Sequence, residues 1–260
     1  MRGPKEIVES TQVAKTTHGG LIWRIFEKTR VLVWKLNSVK YICVVNKGNM
    51  GITERKEKQK QEIKKMILEA SLKLFMEQGF ENVSIRKIAD LIEYSPTTVY
   101  LYFKDKNEIL FNLHEQGFQK MAEYNADLWT IKNPAVRLAK MGEYYLQFGL
   151  ENPAFYELMF ILKAPMEALE SLDANCEWKS GDQALGKLKE TIRECMDKGL
   201  IEKGDVDAAA MAIWSMVHGM VSLAIRDRFD KLVPRDQMVP MMTKSLTWLL
   251  NSLDASDKKT

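Results

Sequence analysis

Three histidines and three cysteines in 260 residues leave little raw material for metal or disulfide chemistry. Cys43, Cys176 and Cys195 are odd in number and widely spaced, so they read as reduced thiols of a cytoplasmic protein, not as a disulfide framework. His18, His114 and His218 fall at no ligand spacing, and neither a metal nor another cofactor is expected. No segment alternates apolar and polar residues as a strand does, and there is no internal repeat or low-complexity tract. What remains is helical periodicity. With 46% hydrophobic residues the chain has ample material for two domains or one large one, and the expected fold class is all-α.

An uninterrupted apolar run is also missing. Leu21 to Val45 is rich in Ile, Val, Leu and Trp, but Arg24, Glu27, Lys28, Arg30, Lys35 and Lys40 break it too often for a membrane span. It lacks a signal-peptide layout, since the apolar run begins late and no small-residue cleavage site follows. The net charge of +3 divides unevenly: nine basic and three acidic residues give +6 over residues 1–49, which leaves −3 for residues 50–260. Met50-Gly51-Ile52-Thr53 and the charged run Glu54 to Lys65 read as a fresh beginning. Residues 1–49 are therefore expected to be an extension foreign to the native protein or dispensable. Two other readings stay open: a basic arm adding phosphate contacts, and an amphipathic surface-binding segment.

The most informative stretch is Ile63 to Phe111. A support helix from about Glu57 to Gln78 carries Ile63, Ile67, Ala70, Leu74 and Phe75 on one stripe, and Gly79 ends it. Ser84 caps a second helix whose inner face is Ile85, Ile88, Ala89 and Ile92, while Arg86 and Lys87 point outward. Glu93-Tyr94 begins a turn. Ser95-Pro96 then starts a third helix, Pro96 to Phe103, because the serine oxygen accepts an orphan N–H and proline has none to lose. Val99 and Phe103 face inward, leaving Thr97, Thr98, Leu101 and Tyr102 outside, with Tyr100 at their edge. Eleven basic against nine acidic residues over 50–106 is too mild for binding a polyanion by bulk charge, so any such binding would rest on a few placed groups.

The run from Ile67 to Leu110, "ILEASLKLFMEQGFENVSIRKIADLIEYSPTTVYLYFKDKNEIL", resembles the N-terminal domain of TetR/AcrR-family transcriptional regulators. The resemblance implies base-edge contacts from Arg86, Thr97 and Thr98, and backbone contacts from Ser84, Ser95, Tyr100, Tyr102 and Lys106. Lys106 opens a fourth helix whose free N–H groups and dipole favour a phosphate. Two departures stand out: Glu93-Tyr94 replaces a small Gly-hydrophobic pair in the turn, and Leu101 replaces an aromatic or polar residue.

Beyond Phe111 helices are expected near Lys106 to Leu128, Pro134 to Glu151, Pro153 to Lys163, Met166 to Leu172, Asp182 to Lys198, Val206 to Arg228 and Arg235 to Ser252, with a loop at Asp173 to Gly181. "AAAMAIWSMVHGMVSLAIRDRF" resembles the C-terminal ligand-binding and dimerisation region of a subset of this family that carries a Trp and a His-Gly. The helix Ala208 to Ile225 is apolar nearly all round, and Met238, Met242, Ser245, Leu249 and Ser252 form a stripe on the last helix. Both must be covered on two sides, which implies a homodimer with Gly219, Met220, Leu249 and Leu253 near a twofold axis. Fifteen methionines and many aromatics suit an adaptable apolar cavity, with His114, Phe118, Tyr145, Phe148, Trp214 and His218 as its candidate lining.

The domain expectation is thus an extension (1–49), a helix-turn-helix DNA-binding domain (50–110), a ligand-binding and dimerisation domain (111–254) and a tail (255–260). The functional expectation is a cytoplasmic, sequence-specific DNA-binding transcriptional regulator, a dimeric repressor released from a palindromic duplex operator by a largely apolar small molecule. An activator, or an architectural DNA binder without effector, is the alternative. An enzyme would have to use Glu143, Glu157, His114 and His218, which are scattered at no nucleophile-base spacing, so no catalytic residue is assigned.

Overall fold

The computed structural model describes residues 51–172 and 178–253. The extension 1–49, Met50, most of the expected loop Asp173 to Gly181 and the tail 255–260 lie outside them, as do His18, Cys43 and Cys176.

Ten helices follow one another among the described residues: α1 (Ile52–Gln78), α2 (Ile85–Leu91), α3 (Pro96–Tyr100), α4 (Lys106–Tyr124), α5 (Pro134–Glu151), α6 (Pro153–Phe160), α7 (Ala164–Leu172), α8 (Lys179–Asp197), α9 (Val206–Ile225) and α10 (Arg235–Ser252). No strand is present among those residues. The starts follow from capping: the side chains of Ser84, Ser95, Asp105, Asn133 and Asp205 each accept a backbone N–H from the first turn of their helix. Proline opens α3, α5 and α6. Gly79 closes α1 at φ +79°, ψ 147°, a positive-φ conformation outside the left-handed helical region that still demands glycine.

Several boundaries differ from expectation: α4, α6 and α9 end three or four residues early, at Tyr124, Phe160 and Ile225, and α7 and α8 begin two or three residues early, at Ala164 and Lys179. Helix α1 starts at Ile52, five residues before Glu57, because Glu54 returns to accept the Gly51 N–H at 3.0 Å. Helix α3 stops at Tyr100 instead of Phe103, and Leu101 and Tyr102 form a closing turn that still carries Phe103 into the core.

The first core gathers Ile67, Phe75, Ile88, Val99, Phe103 and Ile109, and it continues into Leu158 of α6 and Ala168 of α7. The expected boundary near residue 110 therefore falls inside α4, not in a linker. The N-terminal half of α4 supplies Ile109, Leu110 and Leu113 to this core, and its C-terminal half supplies Phe118 and Met121 to the helices beyond. Contact with α6 is close: a Cβ on Gly117 would lie 2.5 Å from the Met159 sulfur.

In the second layer α5 packs against α8, α9 and α10. Helix α9 is the one described helix long and apolar enough to cross a membrane, yet it is a core helix here, burying Ala210, Ile213, Val217, Val221 and Ala224. Within one chain only that face is covered; Met211 and Leu223 stay 48% and 45% exposed on the other.

Candidate DNA interface and effector cavity

The serine-proline start fixes α3 against α2. Ser95 Oγ accepts the Thr98 N–H at 3.1 Å and pairs with Thr98 Oγ1 at 2.9 Å, so the Thr98 hydroxyl is already engaged within the helix. Ser84 Oγ likewise accepts the Lys87 N–H. Arg86 and Thr97 are exposed, as are Ser84, Ser95 and Tyr100. Arg86 makes no ion pair or hydrogen bond among the described residues, which leaves a guanidinium facing solvent beside α3. Leu101 follows Thr97 by one turn on the same face and is 76% exposed. Tyr102 is half-buried against the core, a more inward position than the sequence suggests.

Lys106 departs furthest from its expected environment. Its Nζ donates to the Phe80 carbonyl at 2.7 Å and lies 4.1 Å from the Phe80 ring centre. The start of α4 is also partly occupied: Asp105 accepts the Glu108 N–H, and Glu108 accepts the Lys104 N–H. Side-chain carboxylates hold the place proposed for a phosphate, because this helix carries its own capping acids. Lys104, the lysine after Phe103, is exposed.

A cavity of about 330 Å³ lies among α4, α5, α8, α9 and α10. Of the six expected lining residues, Phe118, Tyr145 and Trp214 line it. Phe148 does not; it is fully buried against Tyr124. His114 and His218 stand behind the wall, His114 bonded to Trp178, which lines it, and His218 reached from the lining Trp214 and Tyr145 through Tyr156. Trp178 Nε1 donates to His114 Nε2 at 2.9 Å. Trp214 Nε1 donates to Tyr145 Oη at 3.1 Å; Tyr145 Oη lies 3.1 Å from Tyr156 Oη, and Tyr156 Oη lies 2.7 Å from His218 Nδ1. Burial pulls both histidines below their ordinary value, with Arg226 adding to the effect at His218. His218 ends the chain, its Nδ1 against the Tyr156 hydroxyl. Burial pushes Tyr145 up to about 12 and raises Tyr156 as well, so both phenols stay protonated.

Phe160 and Trp178 carry no signal in the sequence beyond being aromatic. Phe160 proves to be the hub of the cluster, its ring centre within 6.5 Å of those of Phe118, Tyr145, Trp178 and Trp214. Nothing in helical spacing separates such a residue from ordinary core.

The expected dimer residues divide. Met220 points inward and is buried; Leu249 and Leu253 are half-buried around a small cleft with Ala209, Ala212 and Ile213. Only Gly219 faces open space. One residue is 100° of helix rotation, so the outward stripe runs through Met211, Ser215, Gly219 and Leu223, while Met220 belongs to the core. Val239, Met241 and Trp248 extend the exposed apolar surface on α10, Trp248 at 71%.

Residues 67–113 match the model of bacterial regulatory proteins of the tetR family, and residues 138–246 match the tetracyclin repressor-like C-terminal domain. The HTH-type transcriptional regulator YobS of Bacillus subtilis is 21% identical over 199 residues, covering 75% of this chain and 94% of that protein. A Staphylococcus aureus HTH-type regulator is 31% identical over 99 residues, covering 35% of this chain and 50% of its own length. Among solved structures, the TetR-family regulator PfmR of Thermus thermophilus matches with a TM-score of 0.58 at 22% identity, covering 71% of this chain and 97% of its own. The fatty acid degradation regulator FadR of Bacillus halodurans matches with a TM-score of 0.56 at 17% identity, over 70% and 93%. These structural likenesses establish the fold. The two family models together span both layers of the molecule, and the chain belongs to the TetR family of bacterial regulatory proteins, dimer-forming DNA-binding transcriptional regulators and not enzymes.

Proposed function

We propose that this protein is a cytoplasmic repressor that binds a palindromic operator as a homodimer and leaves it when a largely apolar small molecule enters the cavity. The observation that carries this reading is α4, one rigid helix that contributes to the DNA-reading core at one end and to the cavity wall at the other. A ligand that reshapes the wall at Phe118 and Met121 displaces the same rod that seats Ile109 and Leu113 behind α2 and α3. It shifts the equilibrium only if it binds the operator-incompetent arrangement more tightly.

In this reading Arg86 and Thr97 touch base edges, with Thr98 acting chiefly through its bond to Ser95. Ser84, Ser95, Tyr100 and Lys104 meet the sugar-phosphate backbone, joined by Tyr102 and Lys106 only where their side chains turn outward. The dimer forms across the outward stripe of α9 and the Trp248 face of α10, which sets two α3 helices one duplex turn apart. As a second reading of the ligand, an acyl chain draws support from the likeness to the Bacillus halodurans fatty acid degradation regulator. The test is genomic footprinting of the purified full chain, followed by release of the footprinted duplex with apolar compounds. A footprint with twofold symmetry that no such compound weakens would leave a DNA binder without an effector.

A further inference from the structure

We infer that the cavity is built for a lipophilic cation, an apolar body with a delocalised or shielded positive charge held at the Glu115 end. The inference deepens the effector-cavity reading and rests on it.

The polar groups of the cavity carry the argument. Of the three indoles that line it, Trp178 spends its N–H group on His114 and Trp214 on Tyr145, while Trp129 lies away from Glu115 under the Arg137 guanidinium. The Tyr145 hydroxyl is tied into the chain that ends at His218, and the Ser180 hydroxyl donates to Glu115 Oε2 at 2.7 Å. An anionic head at this end would thus find the lining indole and hydroxyl donors already committed, and an unpaired anion in such surroundings is costly. What does face the space is aromatic surface, and ring faces are negative at their centres, attracting cations and repelling anions.

Glu115 adds a fixed charge of the same sense. Its carboxylate lines the cavity and is held by two neutral partners, the Ser180 hydroxyl and His114 Nδ1. Among the described residues no cation pairs with it. The other charges near the wall cancel in pairs: Arg137 with Glu194, Arg226 with Glu157, and Lys140 with Glu143. Among the described residues Lys187 is the one lining cation; it is exposed and lies seven residues beyond Ser180 along α8, about 10 Å away by helix rise, whereas Glu115, its side chain 42% exposed, stands at the mouth beside the rings. A negative charge and rings therefore coincide at the Glu115 end. Phe118 and Trp178 stand there with ring centres 5.8 Å apart, next to the carboxylate. At about 330 Å³ the space suits a drug-sized body, not a metal ion or a simple amine.

The test uses three probes of nearly equal shape on the full-length dimer: tetraphenylphosphonium, tetraphenylborate and neutral triphenylmethanol, followed by calorimetry and by release of the footprinted duplex. Tetraphenylphosphonium should bind about tenfold more tightly than the borate and should release DNA. Glu115→Gln should lower phosphonium affinity about fivefold while sparing the alcohol, and Phe118→Leu, which removes a ring face, should also weaken the phosphonium more than the alcohol. Borate binding as tight as phosphonium binding, or a preference untouched by both variants, overturns the cation assignment. If the alcohol binds and the phosphonium does not, the cavity remains an effector site and only its charge preference is wrong. If none of the three binds, the effector-cavity reading fails together with this inference.

Discussion

The indole N–H of Trp178 donates to Nε2 of His114 across 2.9 Å, fastening the start of α8 to α4. The ring is held from behind by Gly181, where an added Cβ would sit 2.3 Å from a ring carbon. Trp178→Phe keeps the ring but leaves a buried acceptor unsatisfied, and it should lower unfolding stability by about 1 to 3 kcal/mol. Gly181→Ala should cost a similar amount, about 1 to 3 kcal/mol, through overpacking. Urea denaturation measures both; an unchanged midpoint for Trp178→Phe would mean that the bond contributes nothing to the clasp.

His114, buried, and His218, half-buried, set an acid limit. Each has a folded value below the ordinary 6.5, chiefly through burial, so the unfolded chain takes up protons first as the pH falls. Their contribution is full above about pH 6.5 and is lost progressively as the pH drops through the window between that value and the lowered folded one. The denaturation midpoint should therefore fall between pH 7.5 and pH 5.5. His114→Gln keeps an amide near the Trp178 N–H and should flatten part of that slope; an identical slope would show that His114 does not titrate on unfolding.

Glu93 occupies the turn between α2 and α3 at φ +60°, a conformation unfavourable for a side chain with a Cβ. The departure visible in the sequence is thus a real strain at the position where glycine is expected. Glu93→Gly should stabilise the protein by about 0.5 to 1 kcal/mol and leave operator affinity within about twofold. A lower urea midpoint would show that the Glu93 side chain contributes more than its backbone costs.

On the DNA face, Arg86→Ala should cost about 1 to 3 kcal/mol and relax preference at one base pair in each half-site. Lys104→Ala should weaken all sequences alike and reduce the salt slope by about one unit. Leu101, one turn behind Thr97, offers an apolar surface whose match in the major groove is a thymine methyl. Leu101→Ala should lose affinity for the selected operator but not for the same duplex with uracil in place of thymine. Binding titrations on both duplexes decide it, and equal losses on the two would remove the methyl contact.

Capping and periodicity made much of this molecule legible. The Ser84 and Ser95 caps, the inward Val99 and Phe103, and the full extents of α5 and α10 follow from local rules, because each depends on neighbours a few residues away. What depended on distant partners was not legible. Lys106 was read from its place in α4, but its ammonium is claimed by Phe80, twenty-six residues earlier. His114 and His218 were sensed as polar groups in an apolar region, yet only the fold shows that they receive bonds from behind the cavity wall. Met220 was misplaced because a helix apolar all round gives no phase; one residue separates the outward Gly219 from the core.

That phase decides how the dimer can be broken. Leu249 is half-buried beside Ala209 and Ala212, so Leu249→Arg would injure the packing of a single chain and confuse unfolding with dissociation. Trp248 is 71% exposed, as Met211 and Leu223 are exposed on α9, so a charge there disturbs little of the packing within one protomer. Across a twofold interface the same charge is buried without a partner, at about 3 to 5 kcal/mol, enough to dissociate a modest dimer. Trp248→Arg should therefore give a folded monomer with unchanged helical circular dichroism. Its operator affinity should collapse, because each half-site is weak once the second head is no longer tethered. Analytical ultracentrifugation with a binding titration tests both effects. A Trp248→Arg protein that stays dimeric at micromolar concentration and binds DNA normally would place the interface on another face.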